Sequence, residues 1–149
     1  MLETGVTSMW NGCRPGLVIA PGLVVGALCM ALGASAQEPT RPTLILKQIV
    51  DGMPQGTQQE VQVLTAAFLP GQATVFHTHR FPVTVYVLEG AFTLEMVGRP
   101  AVTVSAGQSF VEPPGVRMTG YNRSPAAPLR VVVFYVGEPG TPFLDVHQH

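Results

Sequence analysis

Beyond residue 36, glycine and proline punctuate this chain so densely that no stretch is left for a long helix. Twelve of its fourteen prolines lie there. A proline inside a helix removes a hydrogen bond and clashes with the preceding turn. Between the breaks run short segments rich in Val, Leu, Phe and Thr. They are "LILKQIV" (44–50), "EVQVLTAAFL" (60–69), "ATVFHTH" (73–79), "VTVYVLEGAFTLEMV" (83–97), "AVTV" (101–104), "QSFVE" (108–112) and "LRVVVFYV" (129–136). Segments of this length, with turn signals every 8–12 residues or so, predict an all-β sandwich or barrel. The 83–97 segment reads as two strands hinged at Glu89-Gly90. Val61, Val63 and Thr65 alternate with Gln62, Leu64 and Ala66, as in a strand buried on one face and partly covered on the other.

The first 36 residues read differently. "LVIAPGLVVGALCMAL" (17–32) is an apolar run of signal-peptide length, and Ala34-Ser35-Ala36 fits a small-x-small cleavage pattern. Pro21, Gly22 and Gly26 interrupt the run, which is short for a spanning helix. The expectation is a signal peptide over 1–36, a mature chain starting at Gln37 and a periplasmic or secreted protein; a retained anchor is the alternative. Met1 and Met9 both remain possible starts. Residues 37–59 read as an N-terminal arm and first strand, and 60–149 as one barrel domain.

Charge and cysteine content narrow the function classes. Cys13 and Cys29 both precede residue 37, so the mature chain offers no disulfide, thiolate nucleophile or thiolate ligand. The whole chain carries a formal net charge of −1, with no basic cluster. That argues against nucleic acid or an anionic membrane as a partner after signal cleavage.

Chemistry concentrates in His77-Thr78-His79. In a strand, residues i and i+2 share a face about 6.6 Å apart, so both imidazoles can converge on one ion. Around them the spacing is Gly71, five residues, His77-Thr78-His79, three residues, Val83, six residues, Gly90. A second spaced set follows: Gly107, Pro113, Gly115, Met118 and Asn122. These residues resemble the two motifs of a small single-domain cupin, a jelly-roll barrel or double-stranded β-helix. The resemblance covers roughly residues 61–136. It departs at two ligand positions, with Val83 where the family has a glutamate and Met118 where it has a histidine.

The resemblance implies a barrel interior that binds or transforms a small molecule, and a homodimer. His77 and His79 would hold a divalent metal, with Met118 as third candidate ligand and Val83 and Met96 on the pocket wall. Three readings stay open. The site is metal-free and Val83 and Met118 extend an apolar pocket for a small organic ligand. Or His77, His79 and Met118 form a softer site suited to copper. Or the C-terminal His147 and His149 supply replacement ligands, against the simpler reading of a frayed, solvated tail. Asn122 is expected to secure a turn, and Glu112, before two prolines, to lie on the surface. The residues leave open whether the protein is an enzyme.

Overall fold

A computed structural model describes residues 38–148 of the chain. The expected signal peptide, its cleavage site and His149 lie outside the described residues. From Thr40 onward the chain folds as one unit. It is all β: β1 (Glu60–Phe68), β2 (His77–Thr78), β3 (Val83–Glu89), β4 (Ala91–Met96), β5 (Val102–Ser105), β6 (Ser109–Glu112), β7 (Met118–Asn122), β8 (Leu129–Gly137) and β9 (Asp145–Val146). Two antiparallel sheets form, in the orders β1-β8-β3-β6 and β5-β4-β7-β2-β9.

Strict alternation sets the core. Along β3, Val83, Val85 and Val87 point inward, and along β8 Leu129, Val131, Val133 and Tyr135 do the same. The second sheet answers with Phe92, Leu94 and Met96 from β4, Val104 from β5 and Met118 from β7. On β1 the inward set is Leu64, Ala66 and Phe68, while Val61 and Val63 face out. The β3–β4 hinge needs its glycine. Gly90 has φ 78°, and a Cβ there would lie 2.4 Å from the Pro128 carbonyl oxygen.

Asn122 staples three segments. Its Nδ2 donates to the carbonyls of Phe68, Leu69 and Ala127, and its Oδ1 accepts from the Ser124 amide. It secures the turn expected of it.

Four segments depart from the sequence reading. Residues 44–50 form no strand; Leu44, Ile45 and Ile49 are exposed, and the segment finds no backbone partner among the described residues. A strand exists only where a neighbouring edge takes up its amides and carbonyls. Of 73–79, only His77–Thr78 forms a strand, with an isolated bridge from Ala73 to Tyr121. Residues 118–122, whose Met, Gly and Asn gave no alternating signal, form β7. Among the described residues the C-terminal segment is not frayed as far as Val146: β9 pairs with β2.

Candidate metal centre

Register builds the site as one layer of the barrel. In the second sheet, Met96 stands opposite Met118, and Met118 opposite His77. In the first sheet, Glu112 stands opposite Val83, and Val83 opposite Tyr135. All six are buried. His79 follows β2 and is held there by its backbone, whose carbonyl accepts from the Gly115 amide at 2.8 Å. The two sheets thus bring His77, His79 and Glu112 together, with one ligand atom from each within 4.8 Å of the others.

The hydrogen bonds fix which ring nitrogens are free. His77 Nδ1 lies 2.7 Å from the Val75 carbonyl, and His79 Nδ1 lies 2.7 Å from the Phe143 carbonyl. A carbonyl can only accept, so both Nδ1 atoms carry hydrogen. Burial pushes the His77 imidazole below its ordinary pKa, outweighing the Val75 hydrogen bond; His79 lowers it further and Glu112 opposes that. His77 is therefore neutral at pH 7, with a bare lone pair on Nε2. That atom faces His79 Nε2 at 3.1 Å, and His79 Nε2 lies 3.1 Å from Glu112 Oε2.

The two Nε2 atoms and the Glu112 carboxylate meet in a dry interior, where the histidines are 4% and 1% exposed and Glu112 is 4% exposed. Without a positive charge between them they repel, and a buried carboxylate without a partner costs several kcal/mol. A proton on His79 Nε2 satisfies the cluster, and so does a metal ion. The spacing fits the ion. Donors about 2.1 Å from a metal lie about 3.0 Å apart at a right angle and about 3.4 Å apart in a tetrahedron. The 3.1 Å separations of His77 Nε2 from His79 Nε2 and of His79 Nε2 from Glu112 Oε2 are compatible with two histidines and one carboxylate that would hold an ion together. Phe143 and Tyr135 close over the cluster: their rings lie 4.8 and 6.3 Å from the His79 ring and 5.6 Å from each other.

Glu112 corrects the sequence reading, which placed it on the surface. Its signal was present in β6. Phe110 and Glu112 share a face, and that face carries the core. The prolines that follow end the strand without turning Glu112 outward. Val83 and Met96, expected on the pocket wall, lie in the site layer, and Met118 sits directly opposite His77 in the ladder. Of the tail histidines, His147 Nε2 lies 3.0 Å from Thr78 Oγ1, and His147 is not part of the ligand cluster.

A two-sheet β-barrel with two histidines and a carboxylate gathered inside defines the class: a double-stranded β-helix with a potential metal centre. Residues 64–135 match the family described as the cupin domain, and the protein carries a small cupin domain. A cupin-like protein from Thermotoga maritima is similar in fold (22% identity, TM-score 0.50, 58% of this chain and 64% of that one). So is the DMSP lyase DddQ from Ruegeria pomeroyi (20%, 0.50, 58% and 42%). A third is an uncharacterized double-stranded β-helix protein from Klebsiella pneumoniae (18%, 0.51, 74% and 100%). The chain spans less than two thirds of the Thermotoga and Ruegeria proteins. At these identities the likeness is one of fold. Comparison with curated proteins gives no match.

Proposed function

We propose that this cupin domain binds or transforms a small molecule at a divalent metal held by His77, His79 and Glu112. One observation carries the reading. Both Nδ1 atoms are spent on carbonyls, which turns the two Nε2 atoms towards each other and His79 Nε2 towards Glu112, at 3.1 Å each. A bound ion there supplies Lewis acidity to a ligand in its open positions. The chain's own contribution is to orient both imidazoles, to offset charge with Glu112, and to exclude water with Phe143 and Tyr135. Metal titration of chelator-treated protein, with elemental analysis of the protein as isolated, tests the reading. One equivalent of tightly held metal supports it; no binding between about pH 6 and 8 refutes it and leaves a metal-free binding module.

A copper site is the second reading, favoured by the fully buried Met118 opposite His77. A thioether beside imidazoles suits Cu(I). Met118→Leu separates the two: it weakens Cu(I) binding only if the sulfur ligates.

Two further expectations complete the proposal. The protein is exported, supported by the 17–32 run and Ala34-Ser35-Ala36; N-terminal sequencing of protein from its host should begin near Gln37, and an intact 17–32 segment in membranes would overturn this. It is a homodimer, supported by the apolar outer face of the first sheet, where Val61, Val63, Leu88 and Phe134 are exposed. Light scattering tests this, with Phe134→Glu expected to yield monomer.

A further inference from the structure

Apart from Tyr135 on β8, the cover of the site comes from the segment that follows β8. Past β8, the Pro142 carbonyl accepts from the Tyr135 hydroxyl at 3.4 Å. Phe143 lays its ring on His79 and offers its carbonyl to His79 Nδ1. Asp145 and Val146 then pair with Thr78 and His77. The His147 amide donates to the Phe76 carbonyl at 2.9 Å. Outside, Arg80 holds Asp145 through two hydrogen bonds of 2.9 and 3.0 Å.

We infer that residues 142–147 are a strap that gates the His77–His79–Glu112 site and fixes His79 in its ligating tautomer. The ligand side chains are almost wholly out of solvent, so something must move before a ligand can enter. The strap is held by few interactions. Its strand is two residues long and lies at the sheet edge. Its latch is a surface ion pair, with the Arg80 and Asp145 side chains 55% and 34% exposed, and such pairs contribute little. Short edge segments of this kind open without global unfolding. Opening removes two things at once: the Phe143 ring from the cover, and the carbonyl that keeps the His79 Nδ1 hydrogen in place. The gating part stands whether the entering species is a metal or an organic molecule; the tautomer part rests on the metal reading above.

A reversible lock tests this. Thr78 and Asp145 are directly opposed across β2 and β9. Opposed residues in an antiparallel pair have Cα atoms about 4.5–5.5 Å apart, within disulfide range. Thr78→Cys with Asp145→Cys is made in a chain also carrying Cys13→Ser and Cys29→Ser. Reduced, this variant lacks both the Arg80–Asp145 latch and the Thr78–His147 contact; oxidised, its strap is tied down. Release of bound Zn(II) into excess chelator is then timed. The reduced form should release about two- to fivefold faster than the parent, and oxidation should slow release at least about tenfold, reversed by reductant. Equal rates in the two redox forms would overturn the gate. A second readout uses no metal: carbethoxylation of His77 and His79 by diethyl pyrocarbonate, located by peptide mass. It should follow the same order. If Zn(II) does not bind, the metal reading fails and the modification rates still decide the strap, equal rates again overturning it.

Discussion

Moving the carboxylate from one sheet position to its neighbour is the sharpest test of the centre. On the metal reading, Glu112→Val removes one of three ligands, a carboxylate whose Oε2 lies 3.1 Å from His79 Nε2. Loss of a mere supporting partner around a metal costs ten- to a hundredfold in affinity. Loss of a ligand should therefore cost at least about a hundredfold, or about 2.7 kcal/mol. Val83 faces Glu112 across the β3–β6 ladder. Directly opposed residues have Cβ atoms about 4.5–5.5 Å apart, an offset that the rotatable bonds of glutamate can span. Adding Val83→Glu to Glu112→Val should then restore affinity to within about tenfold of the parent. The two positions should show strong coupling in a double-mutant cycle. The assay is competition with a chromophoric chelator for Zn(II), Mn(II) or Fe(II). Thermal melts in chelator confirm that each variant is folded. If Glu112→Val binds metal as the parent does, Glu112 is no ligand; if the exchange variant is no better than Glu112→Val alone, the carboxylate's place in the layer has been misjudged.

Other outcomes follow from the same geometry. Asn122→Ala should destabilise by about 3 kcal/mol, because three carbonyls lose a buried donor and an amide loses its acceptor; a loss below about 1 kcal/mol in denaturant melts would contradict this. Met118→Leu should cost less than about 1.5 kcal/mol, since volume is nearly kept. Burial holds the folded His77 below its unfolded value of about 6.5, so the unfolded chain binds the extra proton. Stability of the metal-free protein should therefore rise with pH through that window and be lost as pH falls below about 6.5, by up to about 1.4 kcal/mol per unit. Denaturant melts between about pH 5 and 8 that show no such slope would count against a neutral, buried His77.

The barrel was legible because its strands alternate and its corners are glycines and prolines. β1, β3, β4, β6 and β8 fall where Val, Leu and Phe runs predict them. Residues 44–50 show the limit of such reading. They have strand composition, but pairing is a property of two segments, and no second one is supplied among the described residues. β7 shows the opposite case: Met118-Thr119-Gly120-Tyr121-Asn122 has little strand character and is ordered between β4 and β2 by its neighbours. Gly120 marks the tight place, since a Cβ there would meet the Phe92 ring at 2.4 Å. In the site, the two histidines were evident from their spacing. Glu112 was not, because its role depends on which strand lies beside β3, and nothing local to "EPPG" states that. The tail was unreadable for the same reason. Asp145 gains meaning only once Arg80 and Thr78 are beside it.

The pairing of Val83 with Glu112 has a consequence for how such centres are recognised. A linear motif assigns each ligand a fixed place in the text of the chain. If the cluster holds an ion, positions 83 and 112 are two doors into one room, because the two residues face each other across the ladder. On the proposed reading, a chain that lacks the familiar glutamate keeps a carboxylate in the layer when the facing residue supplies one. Signatures for these barrels are better written over facing pairs than over single columns. A sequence with an aliphatic residue in the usual column should be set aside as inert only after its cross-strand neighbour has been read.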